Sequence, residues 1–560
     1  MNVFDRRLWR RFWDIARLYW FSEDQWKARG VLALLLLLLF AFTALNVVLN
    51  FVGRDFMTAL AEKDMPGFNR TLMIYLGVFV IATPVSVFYA FVRKNLGINW
   101  RLWLTNHFLG RYFQNRAYYH VNDDKGIDNP DQRISQDISS FTVTSLGFLS
   151  ILFFSLVQLV SFVGILWSIS TTLVMVLVGY AFIGTLVTIF FGKRLIGLNF
   201  QQLKREADLR YGLVHVRDNA ESIAFYRGED REEGQVKQRL LAAIGNLRLL
   251  IGWERNLEFF TKGYEYLILI LPIVVMAPMY FAGQIKFGVV TQAEGAFISV
   301  LGALSVIVTQ FEQLSNFVAG ISRLETFSAA LDQPASSANA GDASTIESVE
   351  ESRLALEHVT LQTPDHLQTL ARDVSVLTPA GRGLLITGAS GTGKSSILRA
   401  IAGLWNAGEG RIARPPLKDM MFLPQRPYMV LGSLREQLLY PRLDRQTTEG
   451  DLKNILERVN LTGLPERVGG FDAEMDWGHM LSLGEQQRLA FARLLLAKPD
   501  YAFLDEATSA LDGPNETHLY GELEASGTTY ISVGHRPSLF AFHDQVLELQ
   551  GGGNWRLRPT

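Results

Sequence analysis

The stretch LLITGASGTGKSS, residues 384–396, is an apolar run followed by Gly388-x4-Gly393-Lys394-Ser395. A strand, a glycine-rich turn and a helix start in that order make a phosphate-binding loop. The glycines let backbone N–H groups turn toward phosphate oxygens, Lys394 reaches the β and γ oxygens, and the Ser395 hydroxyl ligates Mg²⁺. The candidate phosphate contacts are Gly388, Ser390, Gly391, Thr392, Gly393, Lys394, Ser395 and Ser396. A second stretch, YAFLDEATSALD (501–512), ends an apolar strand in two carboxylates. Asp505 suits Mg²⁺, directly or through water, and Glu506 suits the polarisation of an attacking water.

A third stretch gives the pair a class. LSLGEQQRLAFARLLLAKPD places Leu481-Ser482-Leu483-Gly484-Glu485 at the start of a helix that leads to the Asp505 strand. A helix N-terminus attracts anions. Gln425 in FLPQRPYM and His535 in YISVGHRPS occur in the matching order along the chain. Together these resemble the ABC ATPase set: phosphate loop, Q-loop, signature, carboxylate pair and switch histidine. The resemblance implies ATP and Mg²⁺ as cofactors, Gln425 near the metal, and Glu506 and His535 in catalysis with Gln425. It also implies that Ser482, Gly484, Glu485 and Asp512 meet a nucleotide, with the signature facing the γ-phosphate held by the other copy. Two departures stand out. Leu483 and Glu485 replace a glycine and a glutamine of the usual signature, and the region before the first strands offers His358 and His366 where an aromatic ring often stacks on adenine.

The elements that must position this chemistry divide the 560 residues sharply. The length exceeds one core. Gly30–Gly53, Thr71–Val92 and Ile138–Gly192 carry no charge. A spanning helix needs about 20 apolar residues, so the third run reads as two spans with a turn at Trp167–Thr172. Tyr266–Ile285 is a fifth span and Gly295–Phe311, extended by EQLSNFVAG, a sixth. Six spans put both termini on one side, and the Arg-rich start DRRLWRRFWDIARLYW marks it as cytoplasmic. That start suits an interfacial amphipathic helix, with a solvated helix as the alternative. The connections 93–137 and 193–262 read as spanning helices continued into the cytoplasm. DQPASSANAGDASTIESVE is small and polar, a linker. The expected organisation is an interfacial helix (1–30), a six-helix membrane bundle resembling the ABC exporter type (31–331), a linker (332–350) and an α/β P-loop nucleotide-binding domain (351–560).

Composition excludes several classes. No cysteine is present, so disulfides, Cys-ligated zinc, iron–sulfur clusters and thiol nucleophiles are out. A net charge of −2 gives no reason to expect nucleic acid.

Longer motifs narrow the family. FLPQRPYMVLGSLREQLLYP, DWGHMLSLGEQQR, NWRLWLTNHFLGRYF, DNPDQRISQD and RDNAESIAFYRGEDRE resemble ABC subfamily D, whose bacterial relatives have a membrane domain similar to the SbmA/BacA peptide-uptake proteins. The resemblance implies a half-transporter in the lipid bilayer that pairs with a second copy of itself as a homodimer. It moves a solute such as cobalamin or peptides; fatty acids or acyl-CoA, and a membrane-anchored regulatory ATPase that transports nothing, are the alternatives. The start of the chain at its basic helix favours a bacterial cytoplasmic membrane. DNPD supplies turn formers, and by resemblance Asn129, Asp131, Gln132, Arg133, Asp137, Glu221 and Glu229 lie where the membrane domain meets the ATPase domains; a solvated loop tip is the plainer reading. Glu265 and Glu294, at span ends, fit either a cavity or an ordinary interface.

Overall fold

The computed structural model describes residues 6–123, 127, 129–332, 345–364 and 366–560. They form two compact units, divided between residues 335 and 336. Most of the expected linker, residues 333–344, and Asp128 of the DNPD turn lie outside the described residues.

In the first unit, six helices among the described residues are long and apolar enough to cross a membrane: Gln25–Ala61, Met65–Val121, Pro130–Ile169, Thr171–Asp218, Glu229–Phe281 and Phe287–Leu304. The uncharged run of 55 residues breaks where its Ser-rich turn predicts. Ser170 alone is extended (φ −160°, ψ 122°) between the helices ending at Ile169 and starting at Thr171. The sixth span begins eight residues earlier than expected, at Phe287, straight after the Gly283 turn (φ +70°). It is interrupted at Gln310 before a separate helix, Phe311–Asp332.

Three of these helices far exceed a bilayer, the second among them with 49 residues from Met65 to Phe113. Thr171–Asp218 and Glu229–Phe281, at 48 and 53 residues, are about 70–80 Å long at 1.5 Å per residue. They pack side by side: Asn246 Nδ2 donates to the Leu198 carbonyl (3.0 Å) and to Gln202 Oε1 (2.9 Å). Tyr180 and Tyr264 stack with centroids 4.1 Å apart, each hydroxyl donating to the other's backbone carbonyl. A short helix, Ala220–Tyr226, closes the tip, with Arg227 left-handed at its end. The N-terminal helix Arg6–Trp20 is amphipathic, as its spacing predicts. Ile15, Ala16 and Tyr19 are buried, and Tyr19 stacks on Trp100 of the second span's extension.

The second unit holds two sheets. The smaller has the order β1 (Glu347–Glu350), β5 (Gly408–Arg414), β2 (Leu354–Gln362), β3 (Thr369–Thr378). β1 falls inside the expected linker and pairs in parallel with β5, anchored by the neighbouring buried Ile346. The larger has the order β10 (Asn554–Pro559), β9 (Gln545–Gly551), β4 (Gly383–Gly388), β8 (Thr529–Val533), β7 (Tyr501–Asp505), β6 (Met420–Leu423). Five of its strands are parallel; only β10 runs against its neighbour. Such strands are covered on both faces and read as continuous apolar runs, as YAFL and LLIT do.

Candidate functional site

Four adjacent parallel strands deliver the chemistry. In an open parallel sheet, ligands bind beyond the carboxyl ends of the strands. Here β4 ends in the Gly388 loop, β8 runs out to His535, β7 ends in Asp505 and Glu506, and β6 leads to Gln425. Residues separated by up to 147 positions in sequence are thereby brought to one edge.

Backbone geometry at the loop requires glycine twice. A side chain on Gly388 (φ +143°) would place its Cβ 2.3 Å from the Leu549 carbonyl oxygen. On Gly393 (φ +93°) it would fall 2.9 Å from Leu370 Cβ. Lys394 then starts a helix that runs to Ile401, and its ammonium donates to the Gly388 and Ala389 carbonyls (3.0 and 2.8 Å). Ser395 Oγ donates to Asp505 Oδ1 at 2.8 Å. Burial pushes the Asp505 carboxyl above its ordinary value; the Ser395 hydrogen bond opposes this and the charge of Glu506 adds to it.

Gln425 Nε2 donates to Glu506 Oε2 at 2.8 Å, and His535 Nδ1 stands 3.9 Å from Glu506 Oε1. Glu506 itself is left-handed (φ +46°), its N–H donating to the Val533 carbonyl of β8. A non-glycine residue in that region is uncommon and costs free energy, and such residues cluster at functional sites. The three residues assigned to catalysis from sequence therefore meet around one carboxylate. Ser395 Oγ, the Asp505 carboxylate and the Gln425 amide carbonyl are the hard oxygen donors that Mg²⁺ takes, and the first two are already neighbours.

The signature lies apart from this edge. Ser482 caps the helix Leu483–Ala497: its Oγ accepts from the Glu485 N–H, and its own N–H donates to Glu485 Oε2 at 2.9 Å. This reciprocal capping box satisfies two helix-end donors. Glu485 also receives Arg467 NH1 at 2.7 Å. Burial pushes its carboxyl upward, but the Arg467 and Ser482 hydrogen bonds outweigh that and hold it below its ordinary value. Glu485 thus serves as the cap of Ser482, with its charge matched by Arg467. The departure at Leu483 leaves a half-exposed side chain on the surface. Gly484 is confined instead, since a Cβ there would sit 3.2 Å from the Ala510 carbonyl oxygen. Asp512 accepts from the Asn515 N–H (3.0 Å) as the cap of the helix Gly513–Ala525. Among the described residues, no hydrogen bond joins Ser482, Gly484, Glu485 or Asp512 to the 388–396 loop.

Near the adenine-side region, His358 bonds Asp373 (2.7 Å) and His366 bonds Gln362 (2.8 Å), both through Nδ1 and both on left-handed backbone.

In the first unit the stretch 129–137 divides in two. Asn129 is a left-handed turn residue, Asp131 is exposed, and the Gln132 side chain donates to Gln136 Oε1 (3.3 Å). Arg133 and Asp137 are each 5% exposed. Asp137 accepts from Arg133 (3.0 Å) and takes a two-pronged clamp from Arg323 of the helix Phe311–Asp332, at 2.8 and 2.6 Å. Glu221 and Glu229 are exposed in the first turns of their helices, beside Phe225 and Tyr226, which are 79% and 87% exposed. Glu265 pairs with Lys262 at 2.8 Å, and Glu294 is half-buried.

Sequence reasoning missed Arg467, Arg323, Gln487, Arg536 and Glu516. All act through partners far along the chain, which spacing does not reveal.

Comparison with known proteins covers both units. Residues 15–281 match the family described as ABC transporter transmembrane region 2, and residues 371–509 match the ABC transporter family. An ABC transporter ATP-binding protein of Synechocystis sp. is 50% identical, over 96% of this chain and 82% of its own. ABC transporter D family member 2, chloroplastic, of Arabidopsis thaliana is 43% identical, over 99% and 89%. The lysosomal cobalamin transporter ABCD4 of Mus musculus is 33% identical, over 99% and 96%. A bacterial Atm1-family ABC exporter solved with ATP bound superposes with a TM-score of 0.73, covering 94% of each chain at 18% identity, a likeness of fold.

Proposed function

The chain belongs to subfamily D of the ABC transporters, integral membrane proteins that couple ATP hydrolysis to transport, and from that premise we propose how its own residues do so and what it moves. The observation that carries the proposal is the meeting of Gln425, His535 and Glu506 beside the Ser395–Asp505 pair, at the carboxyl ends of β4, β8, β7 and β6. Gly388, Ser390, Gly391, Thr392 and Gly393 cradle the phosphates with backbone N–H groups, and Ser396 adds its N–H at the helix start. Lys394 leaves its loop carbonyls for the β and γ oxygens. Ser395, Asp505 and Gln425 would hold Mg²⁺, which would supply positive charge against the phosphates. Glu506 accepts a proton from water as its oxygen bonds the γ-phosphorus and the bond to the ADP oxygen breaks. His535 stabilises the transferred phosphoryl group from its place beside Glu506.

Ser482, Gly484 and Asp512 act across a dimer, on the nucleotide held by the other copy; Glu485 contributes by fixing Ser482. The simplest closed assembly is a homodimer with two equivalent sites and twelve spans. The solute is hydrophilic or amphipathic, such as cobalamin or a peptide; the named activity of the mouse relative supports this. The membrane is a bacterial cytoplasmic membrane with both termini inside. Asn129, Asp131, Gln132, Glu221 and Glu229 form the exposed contacts toward the ATPase domains, and Arg133 and Asp137 hold that turn from within. Purified chain in proteoliposomes, assayed for ATP-driven cobalamin and peptide flux, tests the reading. Solute-stimulated ATPase with flux supports it; ATPase without flux of either solute class removes the solute assignment.

A further inference from the structure

Gln487 has no role in the reading above, yet it is fully buried on the signature helix and its carboxamide grips two loops at once. Nε2 donates to the Gln425 backbone carbonyl (3.1 Å) and to Ser509 Oγ (3.1 Å). Oε1 accepts from the Ala510 N–H at 3.0 Å. The segment 509–511 is held from its other side by Arg536, which donates to the Ser509 and Leu511 carbonyls, both at 2.8 Å. Arg536 is aimed by the buried Glu516, 3.4 Å away, whose carboxylate also accepts from Thr508 Oγ1 (2.7 Å) and Ser538 Oγ. Arg536 directly follows His535. Segment 509–511 is therefore a cross-brace, with Gln425 at one end and His535 at the other.

We propose that Gln487 and Arg536 are positioning residues for ATP hydrolysis, setting Gln425 and His535 around Glu506 through the segment 509–511. The inference rests on the roles proposed above for those three residues. Its physical basis is that Gln425 and His535 sit on loops, which have no ladder of backbone hydrogen bonds to fix them. Deleting the Gln487 carboxamide frees the Gln425 carbonyl and the Ala510 N–H from the bonds that hold them, so the two loops lose a shared tether. A shift of about 1 Å in a catalytic group can cost about a hundredfold in rate. The same network also conveys the position of Ser482: the helix capped by Ser482 carries Gln487, so a nucleotide engaging Ser482 from the partner copy pulls on the brace of this copy's own site.

The test uses the full chain in lipid nanodiscs, comparing wild type, Gln487→Met, Arg536→Lys and Arg536→Met. ATP affinity, kcat, KM, Mg²⁺ half-saturation and thermal midpoint are measured for each. Gln487→Met is expected to leave ATP affinity within about twofold, lower kcat by about 10–100-fold and raise Mg²⁺ half-saturation about fivefold, a split that a merely structural residue does not give. Arg536→Lys should recover part of the kcat lost in Arg536→Met, because an ammonium can still reach one carbonyl. Unchanged kcat in Gln487→Met overturns the proposal, as does a kcat loss that only follows the unfolded fraction while Mg²⁺ half-saturation stays put. Should Gln487→Met fail to fold, Ser509→Ala decides: it removes one bond from a half-buried hydroxyl, and a wild-type kcat there overturns the brace. Glu506→Gln runs in parallel. If it is inactive while Gln487→Met and Ser509→Ala are normal, the brace alone fails; if it turns over near the wild-type rate, the catalytic reading itself fails.

Discussion

The polar groups at the ATPase edge and those of the stretch 129–137 look alike in sequence but are held in opposite ways. Around Glu506, three side-chain contacts join groups that a nucleotide and a cation would claim for themselves: Lys394 to its own loop, Ser395 to Asp505, Gln425 to Glu506. These partners are exchangeable, because each lies at the carboxyl edge of the sheet, where the nucleotide and cation would enter. Arg133 and Asp137 are buried and Arg323 reaches in from a part-exposed position, so the triad joins two helices across 186 residues of chain. Exchange there would strand a charge in a low-dielectric interior. Charged residues in a short polar run can thus be reagents or fasteners, and burial separates the two.

The largest expected break in this comparison is Glu506→Gln. Loss of the general base should lower ATP turnover by about 10³-fold with ATP binding intact, read by phosphate release and equilibrium binding. Near-normal turnover would make Glu506 a fastener too. Next, Asp137→Asn should destabilise the first unit by about 3 kcal/mol, since it removes the charge that faces the buried Arg133 guanidinium. Denaturant unfolding of the full chain in detergent measures this; a wild-type midpoint would mean the triad does not hold the helix Phe311–Asp332. Smaller is the effect of pH on the cation. The Asp505 carboxyl is raised by burial, so it takes a proton at a higher pH than a free aspartate. Proton and Mg²⁺ compete for the same oxygen, so Mg²⁺ half-saturation should climb as pH falls through that raised range and flatten above it. Asp505→Asn should abolish the dependence, and a slope that survives it would place the titrating group elsewhere. The smallest change is Asp131→Ala. Being exposed, it should shift stability by less than about 0.5 kcal/mol while lowering solute flux relative to ATPase in proteoliposomes. Full flux would make the residue a plain loop tip.

The ATPase site was legible because each of its parts is local. An apolar run followed by two or three functional residues is both a sequence word and a strand end, and parallel pairing then sets the words side by side. The spans were legible for a similar reason, charge-free length, and even the Ser170 break fell within its expected turn. What escaped was whatever depends on a distant partner. Glu485 reads as a signature residue, and its bond to Arg467, 18 positions away, could not be read from the motif. Asp137 reads as a polar contact toward the ATPase domains, and its clamp by Arg323 was not foreseen. The start of the sixth span was misplaced because Val289 and Val290 are mixed with polar neighbours in FGVVTQAEG, which hides the apolar face that Val290 and Ala293 bury. Adenine contacts stay outside both kinds of legibility: His358 and His366 have local partners, and nothing in their spacing separates a base contact from a bulge.

The paired helices Thr171–Asp218 and Glu229–Phe281 give the molecule mechanical leverage. From the locked Tyr180–Tyr264 contact to the tip at Ala220 is about 40 residues, an arm of about 60 Å. A tilt of about 5° about that contact sweeps Phe225 and Tyr226 through about 5 Å. That stroke exceeds the reach of a hydrogen bond, so a rotation too small to notice among the spans moves the exposed tip by more than a bonded contact could follow.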